Sequence, residues 1–219
     1  MRAASRRAGG PQPVPHGRTP DRAGRAPSIE PQLGAEELVR RVREGDTWSF
    51  DVLFRRHAPE LLGVTARLLG SRSQAEDVVQ DVFVTLHAEL ARYDGRAPFK
   101  TWLYGIAMNH VRGHRRRLWR HRATRLAGFF GWSHDAPSPE TVCASGEAAQ
   151  VLQRILSQMS DKQREVFVLY ELEGLDGPSI ARIVGCSVNT VWSRARLARA
   201  DFERLVRRHR LVAGTEEIA

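Results

Sequence analysis

In the stretch GCSVNTVWSRARLARA, residues 185–200, a short polar turn leads into Asn189, Thr190, Ser193 and Arg194, with Arg196 and Arg199 further along. Amide, hydroxyl and guanidinium groups in the first turns of a helix are the types that hydrogen-bond base edges in a major groove. Later guanidinium groups suit phosphates. A second constellation lies in FKTWLYGIAMNHVRGHRRR, where Asn109, Arg112 and Arg116 fall at i, i+3 and i+7 on one stripe, with Arg115 beside them. Phe99, Trp102 and Tyr104 are interleaved around Lys100 near its start. Rings beside cations suit an unstacked strand, whose bases stack while the cations follow the backbone. Phe99 and Trp102 are expected in the hydrophobic core rather than on bases, whereas Tyr104 fits either. A third set is acidic: Asp77, Gln80 and Asp81, at i, i+3 and i+4, share a helical face away from the apolar stripe. Such a face is either a docking surface or simply solvated. No Gly-rich phosphate loop, nucleophile–base set or carboxylate pair is evident, so no enzymatic activity is expected.

Charge agrees with a polyanionic partner. The 219 residues carry 34 Lys+Arg against 25 Asp+Glu, with a pI near 10.8, which points to nucleic acid before anionic membrane. One basic patch spans residues 94–125, with Arg96, Lys100, Arg112, Arg115, Arg116, Arg117, Arg120, Arg122 and Arg125 against Asp94. The other is the arginine run of residues 190–210, and the segment 134–176 between them is acidic. Cys143 and Cys186 stand far apart without zinc-ligand spacing. His110, His114 and His121 sit among arginines that repel a metal. Neither a disulfide framework, a metal nor a cofactor is expected, and two free thiols fit a reducing cytoplasm. No apolar run approaches a membrane span, and the N-terminus lacks the apolar core of a secretory signal.

These residues must be positioned by helices. Residues 1–32, rich in Arg, Pro, Gly and Ala, read as a disordered extension. Leu38, Val39 and Val42 then share a face, and Gly45 ends that segment. Asp46 is the expected N-cap of a helix whose apolar side holds Trp48, Phe50, Leu53 and Phe54, with a separate helix from Leu61 to Leu69. Ser73 and Glu76 form a capping box ahead of the stripe Ala75, Val78, Val79, Val82, Phe83 and Leu86. Residues 118–147 break the periodicity and read as a linker. Leu152, Ile155, Leu156 and Met159 open a second set, and Ser160 with Gln163 caps a helix through Tyr170. In the last pair, Ile180, Ile183, Val184 and Val191 pack two helices around the Gly185 turn, with Ser187 as cap. This is a helix-turn-helix pattern, which an αα-hairpin with a solvated arginine face shares. The expected fold is all-α: two small domains, 33–117 and 148–210, joined by a flexible linker and followed by a tail, 211–219. A dimeric helix-turn-helix regulator accounts for residues 178–200 only, and a structural RNA-binding protein would make the arginines non-specific.

LVRRVREGDTWSFDVLFRRHAPELL, QAEDVVQDVFVTL, FKTWLYGIAMNHVRGHRRR and SDKQREVFVLYELEGLDGPSIARIVGCSVNTVWSRARLARA, in that order, resemble the extracytoplasmic-function sigma factors of bacteria. The resemblance covers about residues 35–117 and 148–208. It implies a first domain, region 2, that docks on the β′ coiled coil of core RNA polymerase and opens the −10 promoter element. It implies a second, region 4, that binds the β flap and reads the −35 element. Asp77, Gln80 and Asp81 match the family's polymerase-contacting positions, and Asn109 matches the residue that contacts a flipped −10 base. An anti-sigma factor is the further partner the resemblance implies. His57 departs from the family's usual Tyr, Gly177-Pro178 from acidic residues, and Trp192 from Arg or Lys; Trp192 is expected to pack against the first helix of the motif.

Overall fold

The computed structural model describes the backbone of residues 33–126 and 146–216, and the side chains of 33–120 and 146–209. The N-terminal extension, Cys143 and most of the expected linker lie outside the described residues. Among the described residues there is helix and turn but no strand.

The first domain begins with α1 (Ala35–Arg43), which buries Leu38 and Val39. Gly45, at φ 94°, turns the chain into α2 (Thr47–Leu69). Asp46 caps α2, accepting from the Trp48 and Ser49 amides at 3.0 and 3.4 Å. α2 is one continuous helix, not the two expected, and it contains Pro59. A mid-helix proline loses one backbone bond and strains the preceding turn. Here Val52 and Leu53 before it and Leu61, Val64 and Leu68 after it are buried on the same side. At ~1.5–3 kcal/mol per buried side chain, that burial outweighs the break. Leu53 lies in the core as expected, but Trp48 and Phe54 remain 41% and 43% exposed.

Gly70 (φ 81°) closes α2, and α3 (Arg72–Glu89) follows. Its cap is Ser71, two positions ahead of the expected Ser73; the Ser71 hydroxyl accepts from the Gln74 amide. The expected stripe of α3 is buried throughout. A short turn, Leu90–Arg92, closes the helix, and the Arg43 guanidinium donates to the Leu90 carbonyl at 2.8 Å, satisfying an acceptor at a helix end. α4 (Phe99–Leu126) then lies against both α2 and α3. It runs past residue 117 into the segment read as linker.

The second domain is formed by α5 (Glu147–Gln158), α6 (Asp161–Phe167), α7 (Gly177–Val184) and α8 (Val188–Glu216). Ser160 caps α6 as expected. The end of that helix differs from the sequence reading: Val168–Leu172 widens into a π turn. Such bulges change which face the following residues present; here Tyr170 and Glu171 meet α8 while Glu173 meets the first domain. Gly185, at φ 72°, makes the turn between α7 and α8, a left-handed conformation that favours glycine. Ile180, Ile183, Val184 and Val191 are buried between the two helices.

Candidate nucleic-acid interface

α8 presents the helix-turn-helix residues on distinguishable faces. Val191, Ala195, Ala198 and Leu205 are buried. Opposite them Asn189, Ser193 and Arg196 are exposed, at i, i+4 and i+7. Ser187 caps the helix, its Oγ accepting from the Thr190 amide at 3.2 Å and lying 2.8 Å from the Thr190 hydroxyl. The other candidates flank this outward face. Arg194 is half-buried with Nη1 3.8 Å from the Cys186 sulfur. Arg199 donates from Nε and Nη2 to Glu171 Oε1, at 3.0 and 2.6 Å. The structure thus brings Asn189, Ser193 and Arg196 together and sets Thr190, Arg194 and Arg199 beside them in contacts of their own.

Trp192 does pack on the first helix of the motif. Its indole fills the space where a side chain at Gly177 would stand: a Cβ there would lie 2.5 Å from Cζ2. Tyr170 meets the ring edge-on at 5.5 Å. The two departures noted in the sequence, Gly177 and Trp192, are therefore one packing arrangement. Asp176, preceding the glycine, caps α7 by accepting from the Ser179 amide.

On α4 the predicted residues divide. Asn109 and Arg116 are exposed on one stripe that continues to Arg120. Trp119, in the segment read as linker, is 71% exposed near that stripe. Arg112 and Arg115 turn toward the second domain. Arg112 grips Glu165 with Nη2 2.6 Å from Oε2 and Nε 3.2 Å from Oε1, and its Nη2 also donates to the Val184 carbonyl. Arg115 lies 3.3 Å from Asp161 and 3.6 Å from Glu165 and donates to the Leu68 carbonyl. The Glu165 bridge favours charged Arg112, whereas burial weakens the hold of Arg115 on its proton. Lys100 pairs with Glu60 and stands over the Tyr104 ring. Of the rings near Lys100, Phe99 lies in the core as expected, and the open case of Tyr104 is decided the same way. Phe99 and Tyr104 are each 2% exposed, because the same helix must supply the core against α2 and α3. The Tyr104 hydroxyl donates to Glu173 at 3.2 Å; burial and this carboxylate raise its pKa.

Asp77, Gln80 and Asp81 are all exposed along α3, and the two acids form no ion pair among the described residues. Arg72 is taken by Glu76 at 3.0 Å. Two exposed apolar residues of this domain were not read as site residues from the sequence. Val84, one turn beyond Gln80, is 73% exposed, and Phe54 leans on Phe83 at 4.6 Å with much of its ring in solvent. An apolar residue continuing an acidic stripe at i+3 and i+7 is the signal that would have found Val84.

Two domains, one with a helix-turn-helix and the other with a basic helix beside an acidic one, narrow the possibilities, and comparison with known proteins decides among them. Residues 53–121 match the family Sigma-70 region 2, and residues 149–202 match Sigma-70, region 4. The chain is 32% identical over 177 residues to the RNA polymerase sigma-H factor of Pseudomonas aeruginosa, covering 77% of this chain and 92% of that one. It is 31% identical over 180 residues to the ECF RNA polymerase sigma-E factor of Haemophilus influenzae, covering 78% and 95%. The chain belongs to the extracytoplasmic-function sigma factors.

The sigma factor also resembles a solved structure, the sigma factor RpoE of Bartonella quintana in complex with the anti-sigma factor NepR. The TM-score is 0.60 and the identity 25%, over 72% of this chain and 96% of that one. As a sigma factor it acts in promoter recognition and transcription initiation by RNA polymerase. Its family is one of initiation factors, and no helix among the described residues is long and apolar enough to cross a membrane.

Proposed function

We propose that the sigma factor divides its work between α3, α4 and α8, as a non-enzymatic cytoplasmic subunit. Asp77, Gln80 and Asp81, with Val84 and Phe54 beside them, dock on the β′ coiled coil, and the second domain engages the β flap. Asn109 takes a base extruded from the −10 element; Lys100, Arg112, Arg115 and Arg116 hold the backbone around it. Asn189, Ser193 and Arg196 enter the −35 major groove, with Thr190 and Arg194 at its edge and Arg199 toward phosphate. An anti-sigma factor is the expected regulator, as one is for the Bartonella protein. The observation that carries this reading is the pair of outward stripes, Asn109–Arg116 on α4 and Asn189–Ser193–Arg196 on α8, one in each domain. Two separate reading helices suit a bipartite element and have no place in a simple helix-turn-helix repressor.

The experiment is promoter profiling with core polymerase on DNA randomised at one element at a time. Asn109→Ala is expected to flatten base preference at one −10 position, whereas Arg116→Ala weakens all sequences alike and lowers the salt dependence of binding by about one phosphate contact. Unchanged −10 preference in Asn109→Ala removes the base contact from this residue.

At the −35 element the outward residues and their flanks should fail differently. Arg196→Ala and Arg194→Ala are expected to relax preference at one position each, by about 5- to 150-fold in discrimination. Arg199 shares its guanidinium with Glu171, so Arg199→Ala is expected to weaken every promoter by a similar, smaller factor. A single-base effect of Arg199→Ala, or none from either of the other two, means that α8 lies differently in the groove.

A further inference from the structure

On α8 two large apolar side chains stand open to solvent, Trp192 and Leu197. Trp192 is held in place: its ring fills the space over Gly177 and meets Tyr170. Leu197 is 52% exposed, although the helix buries Val191, Ala195, Ala198 and Leu205 on its other side. It lies eight residues beyond Asn189, four beyond Ser193 and next to Arg196. At 3.6 residues per turn those offsets keep Leu197 on the outward half of the helix, two turns beyond Thr190 on the same flank.

A leucine at that place is restricted in what it can meet. It has no donor for phosphate or for the nitrogen and oxygen atoms of a base edge. Polar atoms pressed against it lose water without gaining a hydrogen bond. The major-groove edge of the bases offers one apolar group, the C5-methyl of thymine. At about 1.5 Å of rise per residue, Leu197 stands about 12 Å along α8 from Asn189. That is a span of about four base pairs at roughly 3.4 Å each, so both residues can face one −35 element.

We propose that Leu197 is a specificity-determining residue for the −35 element, packing on the methyl group of one thymine within about four base pairs of the base that Asn189 meets. This rests on placing α8 in the −35 major groove. Within that placement the helix reads in two ways. Asn189, Ser193 and Arg196 read donors and acceptors, whereas Leu197 reads a methyl group that hydrogen bonding cannot detect. Burying one methyl group on an apolar partner changes affinity by about fourfold.

The test uses polymerase reconstituted with the full chain and duplex promoters in which each −35 thymine, on either strand, is replaced in turn by deoxyuridine. That replacement removes the methyl group and keeps every hydrogen-bonding atom. Wild type is expected to lose about fourfold in affinity at one position. Leu197→Ala is expected to bind the thymine and deoxyuridine duplexes equally at that position, while the preference that depends on Arg196 persists. Leu197→Met, which keeps an apolar side chain of similar volume, retains part of the discrimination. About half of the residue is already in solvent, so helix content and melting should stay near wild type. If Leu197→Ala loses helix, Leu197→Gln takes its place with the same expected loss of discrimination. A wild-type protein indifferent to deoxyuridine at every thymine overturns the proposal, and so does an undiminished methyl effect in Leu197→Ala. Arg196→Ala on the same duplexes separates this failure from that of the groove placement. Relaxed preference in Arg196→Ala with no effect of Leu197→Ala removes the methyl contact alone; unchanged preference in both variants removes α8 from the groove.

Discussion

Asp81→Arg is expected to reduce affinity for core RNA polymerase by about 30-fold or more while leaving helix content and melting unchanged. Asp77, Gln80 and Asp81 project from α3 into solvent, and neither acid has an ion-pair partner among the described residues. Nothing in the fold depends on them, so reversal costs the free protein little. Against a basic partner surface the same reversal replaces attraction with repulsion in a partly desolvated contact, where charged pairs carry much of the affinity. Val84→Ala should weaken the contact more modestly and without salt dependence, because it removes apolar area alone. Fluorescence titration of labelled core enzyme checks both at two salt concentrations. Wild-type affinity in a folded Asp81→Arg protein excludes α3 as the docking helix.

The second large effect is a coupling between Gly177 and Trp192. Gly177→Ala places a methyl 2.5 Å from Cζ2 of a rigid ring, so the indole must move; overpacking of this kind typically costs about 1–3 kcal/mol. Trp192→Ala removes the ring from between Tyr170 and α7. With 43% of the residue exposed, its loss is expected to cost about 2 kcal/mol, less than the ~3–5 of a fully buried aromatic. The double variant should be no less stable than Trp192→Ala alone, because alanine then meets no ring and favours helix over glycine. A thermodynamic cycle from denaturant unfolding measures this. Additive losses would mean that the ring does not occupy the glycine's space. Promoter specificity should change little in either single variant.

What the sequence made legible was local. Asp46, Ser160 and Ser187 were readable as caps because a polar residue preceding an apolar period has one favourable use. The Gly185 turn and the packing of Val191 followed from spacing alone. The errors were of a different kind. Two helices were expected where α2 is one, because local periodicity does not show that a buried face on both sides of Pro59 holds the helix together. Ser73 was read as the cap from its spacing to Glu76, but only the backbone decides which hydroxyl meets an amide, and that is Ser71. The π turn at Val168–Leu172 has no pattern in the residues, since it is fixed by what α8 and the first domain require of Tyr170, Glu171 and Glu173. Tyr104 stayed open between core and bases because spacing alone does not separate the two; the ring is buried and its hydroxyl reaches the second domain. Glu165 was invisible as a site residue. An acid in mid-helix carries no local signal, and its partners lie 53 residues away in the chain at Arg112.

The central claim is that this chain gives core RNA polymerase a promoter preference through two domains acting together. Run-off transcription with core enzyme, on promoter libraries randomised at both elements, tests it most directly. The account predicts transcription only when the chain is added, from a shared −10 and −35 pair, with Asn109→Ala altering the first element and Arg196→Ala the second. Start sites indifferent to the chain, or DNA binding by the chain that is equally sequence-specific without polymerase, would contradict it.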